Sequence, residues 1–165
     1  MRHTTISSEL GPITLVVDDD GALTGLYFED HHPAPRPDRM GPHVEADAAF
    51  APATAQIGEY LAGQRRAFDL PLRATGTAFQ RSVWDAMAQV GYGQTATYGA
   101  IAAALGRPTA ARAVGAAVGR NPLSVVVPCH RVVGGNGLAG YAGGLDRKRR
   151  LLALEQHDDT NPPTV

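Results

Sequence analysis

The two halves of the chain carry different periodicities, which constrains the fold more than any other feature of its 165 residues. In the first thirty residues, β-branched and aromatic residues fall in three short runs, separated by the turn formers Gly11-Pro12 and Asp19-Asp20-Gly21. This spacing predicts an antiparallel sheet. From Thr77 onward, apolar residues recur at helical spacing. The sequence therefore predicts an α+β protein, with a small antiparallel-sheet N-terminal domain and a helical C-terminal domain.

The domain boundary is predicted from a loop, a helix and a short extended link. Residues 31–42 contain four prolines and no periodicity, which is typical of a loop. A helix is expected over 52–61, and the extended link Phe68 to Leu72 follows it. We therefore expect domains at 1–72 and 73–157, followed by a flexible tail at 158–165.

The second half is predicted to contain a helix-turn-helix. Two short helices are expected on either side of the turn Gly106-Arg107-Pro108, with Thr97 capping the first and Thr109 the second. Thr77 is expected to cap an earlier helix, and Val125 to Val127 is predicted to be a buried extended segment. The helices are expected at about 77–90, 98–105, 110–118 and 146–155.

Charge also divides the chain. Residues 1–70 carry 11 acidic and 5 basic side chains, a net charge of −6, whereas residues 71–165 carry 5 acidic and 10 basic ones, a net charge of +5. Such asymmetry favours contact between the second half and a polyanion, although drift of surface charge would give the same pattern.

Composition narrows the class of protein. A single cysteine excludes an intramolecular disulfide and the paired-cysteine zinc motifs, so neither a structural metal nor a cofactor is expected. No apolar run approaches the ~20 residues that a membrane span needs. The first residues, Met1 to Ser8, lack the basic and apolar blocks of a signal peptide, which predicts a cytoplasmic protein.

The second helix of the predicted pair carries alanine and glycine on its exposed side, with Arg112 as the one long side chain. Small residues allow a helix to approach DNA closely, and an isolated arginine can reach phosphates, base edges or a gap in the base stack. The alternative is an alanine-rich helix that packs against a neighbour. The nearby Arg107, Arg120 and Arg131 favour DNA.

Cys129 is the candidate nucleophile. A lone cysteine is commonly a buried structural thiol, but this one follows Pro128, adjoins His130 and precedes a glycine-rich loop. These neighbours favour a partly exposed, electropositive thiolate. In an extended chain Cys129 and His130 would point to opposite faces, so proton transfer between them requires a turn or an intervening water.

Two further segments have both ordinary and functional interpretations. Asn121 precedes a proline, a usual arrangement in turns. The run Gly140-Tyr141-Ala142-Gly143-Gly144 is either a plain surface loop or a mobile loop in which Tyr141 lines a slot for a planar base.

Taken together, these segments resemble one family. The run Pro128-Cys129-His130-Arg131-Val132, with Asn121-Pro122 before it and Gly140 to Gly144 after it, is similar to the O6-alkylguanine-DNA alkyltransferases, also called methylated-DNA–protein-cysteine methyltransferases. Ala110 to Gly115 is a second matching motif. The detailed resemblance covers about 77–155, and it implies a ribonuclease-H-like N-terminal domain.

The resemblance implies direct-reversal DNA repair by a monomer. A damaged guanine would be flipped out through the minor groove of duplex DNA, and Cys129 would irreversibly take the alkyl group from O6-alkylguanine, or from O4-alkylthymine, in a single turnover. The implied catalytic residues are Cys129, His130, Glu155, Asn121 and Tyr98; the DNA-binding residues are Arg112, Ala111, Gly115, Arg120 and Thr97; and the substrate-pocket residues are Tyr141, Val132, Ala142 and Met87.

Each implied role has a chemical basis. His130 would act as a base through a water, with Glu155 orienting it, while Tyr98 would hydrogen-bond the guanine and Arg112 would fill the vacated stack. Ala142 departs from family members that carry serine there, but its backbone N–H can still donate to the guanine O6. Two other classes remain open from the residues alone: a transcription regulator with an inert cysteine, and a Cys-His-Glu hydrolase.

Overall fold

The N-terminal half forms the predicted antiparallel sheet. In the computed structural model, which describes residues 1–156, strands β1 (Arg2–Ile6), β2 (Ile13–Val17) and β3 (Leu23–Phe28) follow one another in the sheet in chain order. Asp18 closes the second hairpin, since its Oδ1 accepts the N–H groups of Asp20 and Ala22 at 2.9 Å each. The predicted tail at 158–165 lies outside the described residues.

Five helices and a second, two-stranded sheet complete the fold described for residues 1–156. The two short strands, β4 (Ala96–Thr97) and β5 (Val132–Val133), run parallel to each other. Strand β5 directly follows the 3₁₀ turn Cys129–Arg131. The elements are α1 (Ala51–Leu61), α2 (Ala78–Ala88), β4 (Ala96–Thr97), α3 (Tyr98–Ala104), α4 (Ala111–Gly119), β5 (Val132–Val133) and α5 (Leu145–Gln156).

Two of the three predicted helix caps are confirmed and one is wrong. Thr77 forms a capping box with Gln80 before α2, and the Thr97 side chain accepts the N–H of Ala100 before α3. The prediction that Thr109 caps α4 is wrong. The preceding turn is closed by Ala110 N–H to the carbonyl of Arg107 at 2.9 Å, which makes Ala110 the cap residue, with no side-chain cap.

Helices α3 and α4 pack against each other and against α2, which confirms the helix-turn-helix arrangement. Trp84 of α2 donates its indole N–H to the carbonyl of Ala117 at 2.8 Å, which anchors the buried side of α4 to α2. The opposite side of α4 is left exposed.

A single apolar core joins the sheet to the helices. Strand β3 hydrogen-bonds to segments from both predicted domains, because Leu23 N–H donates to Pro71 and Leu26 N–H donates to Pro122, each at 2.8 Å. The second bond places the segment that follows α4 directly against the sheet. None of the helices within residues 1–156 combines the length and apolarity that crossing a membrane requires.

Candidate active site

The segment between α4 and Cys129 is a tight turn. It was predicted to be extended over Val125 to Val127, and that prediction is wrong: Val125 has a φ of 72°, a left-handed conformation that β-branched residues rarely adopt. Asn121 holds the turn, since its Nδ2 donates to the Val127 carbonyl at 2.9 Å and its Oδ1 accepts Leu123 N–H at 3.0 Å. Strain at Val125 is thus compensated by buried hydrogen bonds.

Cys129 is buried, with only 2% of its surface exposed. Burial raises the pKa of its thiol, although the polar side chains of Asn121, Ser124 and Tyr141 and the charge of Lys148 act in the opposite direction. The expectation of a partly exposed, electropositive thiolate is therefore wrong for the resting protein. A thiol in this environment keeps its proton until a base removes it.

His130, the residue after Cys129, forms a fully buried pair with Glu155. Because Cys129–Arg131 is a 3₁₀ turn, the opposite-face geometry of an extended chain does not apply there. His130 Nε2 lies 2.8 Å from Glu155 Oε2. Burial lowers the pKa of His130, partly offset by the carboxylate, so the ring is neutral at rest. Since an ionised carboxylate only accepts, Nε2 carries the proton and Nδ1 keeps its lone pair.

Glu155 is held ionised by several donors. Burial alone would raise its pKa, but hydrogen bonds from His130 and Arg131, together with the positive charge of Arg131, lower that pKa to about 2. Arg131 binds both carboxylate oxygens, with Nε 2.8 Å from Oε1 and Nη2 2.9 Å from Oε2. It also donates to the carbonyl of Val90 at 2.7 Å.

Arg131 was expected to face DNA, and the structure does not place it there. Only 8% of it is exposed, and its guanidinium points inward to Glu155. The positive charge of Arg131 compensates the buried carboxylate of Glu155, which explains why an arginine can be buried at this position.

Sequence reasoning missed Lys148 of α5, which is also buried. Its ammonium donates to the carbonyl of Val132 at 2.7 Å and, more loosely, to those of Ala139 and Gly140 at 3.3 Å each. Lys148 thereby connects α5 to both ends of the loop that follows Cys129. Its burial could not be read from the sequence, because lysine is usually a surface residue.

A cavity of about 350 Å³ opens beside the thiol. Four expected site residues, Tyr98, Gly115, Tyr141 and Ala142, line it together with Cys129. The predicted pocket residues Val132 and Met87 do not: both are fully buried in the apolar core, and their side chains pack behind the site. The complete lining is His32, Tyr98, Gly115, Val118, Gly119, Cys129, Gly140, Tyr141 and Ala142.

His32 brings the N-terminal half to this cavity. It belongs to the proline-rich loop, and its backbone N–H donates to the Ala142 carbonyl at 2.8 Å. The sequence offered no signal for this contact, since the loop and Ala142 are far apart in the chain.

The exposed face of α4 lies next to the cavity. Arg112 on α4 and Arg120 at its C-terminal end are exposed, whereas Ala111 and Gly115 on the same helix are half-buried. Thr97, at the start of α3, is also half-buried, and its hydroxyl is already engaged in capping. A Cβ at Gly115 would lie 3.7 Å from the Tyr98 ring, an ordinary contact distance, so Gly115 lies directly beside Tyr98.

No three or more His, Cys, Asp or Glu side chains converge to form a metal site within residues 1–156. Cys129 is followed in the same 3₁₀ turn by the neutral imidazole of His130, which in turn contacts the ionised carboxylate of Glu155. This arrangement can deprotonate the thiol without placing a permanent charge in the cavity.

Comparison with known proteins gives two matched segments. Residues 78–157 match the family "6-O-methylguanine DNA methyltransferase, DNA binding domain", and residues 1–74 match "6-O-methylguanine DNA methyltransferase, ribonuclease-like domain". The second match agrees with the ribonuclease-H-like expectation for the N-terminal half.

Individual relatives match over nearly the whole chain. The methylated-DNA–protein-cysteine methyltransferases of Mycolicibacterium paratuberculosis and Methanosarcina acetivorans are 48% and 44% identical to it, each over 94% of this chain and over 93% and 98% of the relatives. The crystal structure of Mycobacterium tuberculosis OGT in complex with DNA superposes with a TM-score of 0.87 at 43% identity, covering 94% of this chain and 93% of that one.

Proposed function

The chain belongs to the 6-O-methylguanine DNA methyltransferase family, and on that premise we propose that it reverses alkylation damage in DNA by moving an alkyl group from O6 of guanine to Cys129. The observation that carries this proposal is the position of Cys129, which lines a cavity beside the exposed face of α4 and directly precedes His130, the buried partner of Glu155. Relatives named methylated-DNA–protein-cysteine methyltransferases support it.

The proposed reaction is one displacement. Sγ forms a bond to the alkyl carbon while the bond from that carbon to O6 breaks, and the electron pair of that bond goes to the guanine, whose anion then takes up a proton from solvent to give the unmodified base. The thiol proton passes to Nδ1 of His130 through a water, and Tyr98, which lines the cavity, donates a hydrogen bond to the leaving base. The thioether at Cys129 is stable, so each molecule acts once.

Burial of the thiol suits a protein that can react only once. With its pKa raised, the resting thiol is protected from stray electrophiles. A base that enters the cavity displaces water and places the alkyl carbon near Sγ, so reaction depends on positioning. The turn pinned by Asn121 is proposed to maintain that position.

DNA is the proposed partner, bound as a duplex by a monomer through the minor groove. The small exposed residues of α4 permit close approach, and the crystal structure of the M. tuberculosis OGT in complex with DNA supports DNA as the partner. Extrusion of a base costs a few kcal/mol, and less for alkylated guanine, because it pairs weakly. We also propose that the domains are residues 1–72 and 73–157, and that O4-alkylthymine is a second substrate.

The reaction is tested with a DNA duplex that carries one O6-methylguanine whose methyl group is radioactively labelled. We expect the label to appear on the protein and an unmodified guanine to appear in the DNA. Release of the label as methanol would identify a hydrolase, and binding without transfer would identify a regulator or sensor.

Arg112→Ala tests the role of the exposed arginine on α4. We expect alkyl transfer from duplex DNA to slow by about 10- to 100-fold, since the arginine is proposed to occupy the gap left by the flipped base. Reaction with free O6-benzylguanine should be nearly unchanged, because a free base leaves no gap. The matched control is Arg149→Ala, which removes another exposed charge, on α5 rather than α4. Equal slowing on both substrates would assign Arg112 a structural role.

A further inference from the structure

Tyr60 of the N-terminal half reaches the buried pair in the C-terminal half. It is the penultimate residue of α1 and is fully buried. Its ring packs against Phe68 and Tyr92, with ring centroids 5.3 Å and 6.3 Å away. Its hydroxyl lies 2.5 Å from Glu155 Oε2, across 95 positions of sequence, and 3.5 Å from His130 Nε2.

The direction of this hydrogen bond is fixed by charge. Glu155 is ionised and can only accept, so the phenol donates to it. Burial and the neighbouring carboxylate raise the pKa of Tyr60 far above its usual range, so the hydroxyl retains its proton at neutral pH. Tyr60 is therefore a permanent donor to Glu155.

The two oxygens of Glu155 have different sets of donors. Oε1 accepts from Arg131 Nε and, at 3.4 Å, from Gly93 N–H. Oε2 accepts from Tyr60, from His130 and from Arg131 Nη2. Tyr60 thus shares the one oxygen that binds the imidazole, and it provides the shortest of the three contacts.

Other charged and titratable groups face the same pair. Arg131 and Lys148 both lower the pKa of His130, and Arg131 also lies over the ring of Tyr92. Arg131 and Lys148 come from the C-terminal half, where the reactive segment itself lies. Tyr60 comes from the N-terminal half and is uncharged, so it can hold Oε2 without adding a positive charge that would keep the imidazole from accepting a proton.

We propose that Tyr60 is a positioning residue for alkyl transfer, whose hydroxyl holds Glu155 Oε2 against His130 and limits how strongly that carboxylate attracts the imidazole proton. This assigns a function to the N-terminal half in the chemistry of Cys129, and it rests on the proposed function. Without the hydroxyl, Oε2 keeps more of its negative charge and His130 becomes a stronger base. It is then protonated at a higher pH and cannot accept the thiol proton there.

Tyr60→Phe isolates the hydroxyl, because the ring and its packing remain. The full chain, with ¹³C-labelled histidine, is titrated by NMR without any substrate, and the His130 signal is assigned with the variant His130→Gln. We expect the His130 midpoint to rise by about 0.5–1 pH unit in Tyr60→Phe. The matched control is Tyr27→Phe, which removes a hydroxyl of the same half on β3 and should leave the midpoint unchanged.

The same proteins are then reacted with free O6-benzylguanine over a range of pH. We expect the acid side of the rate profile to move upward with the His130 midpoint, and the plateau rate to fall by about 3- to 10-fold because the carboxylate is less well held. If the wild type does not react at all, the proposed function fails, while the NMR titration still decides whether Tyr60 controls His130.

An unchanged His130 midpoint and an unchanged acid limb, with only a lower melting temperature, would overturn the proposal and leave Tyr60 a packing residue. If Tyr60→Phe does not fold, 3-fluorotyrosine at position 60 provides the second test. A more acidic phenol donates a stronger hydrogen bond, so the His130 midpoint should then fall, and a constant midpoint would again overturn the proposal.

Discussion

Glu155→Gln is expected to lower the melting temperature by about 6–20 °C. Replacing the carboxylate leaves the buried Arg131 without its counter-charge, and breaking a buried pair in this way costs about 3–5 kcal/mol. For a chain of this size, each kcal/mol corresponds to about 2–4 °C. Transfer to Cys129 should also slow by about 100-fold or more, since an amide no longer fixes the proton on Nε2 of His130.

The pH dependence of stability shows whether Glu155→Gln destabilises the protein by removing the carboxylate charge or by a general packing defect. The pKa of Glu155 is depressed to about 2 in the folded protein from 4.5, so its contribution is fully present above pH 4.5 and is lost as pH falls toward 2. Thermal melting across that window should show a steeper loss for wild type than for Glu155→Gln.

Asp146→Asn provides the matched control for Glu155→Gln. It neutralises a carboxylate on the same helix that is 98% exposed, and it should change stability by no more than about 0.5 kcal/mol. If Glu155→Gln melts like this control, the buried network does not stabilise the fold as described.

Cys129→Ser is expected to abolish alkyl transfer, with a loss of at least about 10⁴-fold. A serine hydroxyl fits the space of the thiol, but it is a far weaker nucleophile and His130 alone cannot activate it. Binding to duplex DNA should stay within a factor of about 3 of wild type, because the exposed face of α4 is unaltered. Gel-shift titration and the radioactive transfer assay measure the two properties on one preparation. Transfer by this variant would mean that another residue accepts the group.

Local signals explain what the sequence could predict. Helix positions were correct to within about two residues at each end, because caps such as Thr77 and Thr97 and the apolar spacing act over a single turn. Cys129, Tyr98, Tyr141 and Ala142 were expected at the site from motif resemblance, and all of them line one cavity.

Long-range contacts explain what the sequence could not predict. Val125 to Val127 has the composition of a strand, and only the hydrogen bonds of Asn121 show that it turns. Arg131 resembles a DNA contact until its partner Glu155, 24 residues later, is placed beside it. Tyr60 lies on the far side of the predicted domain boundary, and a buried tyrosine near a helix end has no local signature.

Val132 and Met87 were predicted to line the substrate pocket, and neither lines the cavity. Both lie close in sequence or in space to true site elements, yet their side chains point into the core. Proximity to a motif predicts that a residue supports the site, but it does not predict which way the side chain faces.

The most direct test of the account is the intact mass of the protein after incubation with excess duplex DNA containing O6-methylguanine. The account predicts one added methyl group per molecule, located on the peptide that contains Cys129, and one repaired guanine per molecule of protein. Repair that continues beyond one equivalent, or a protein mass that stays unchanged while guanine is restored, would contradict it.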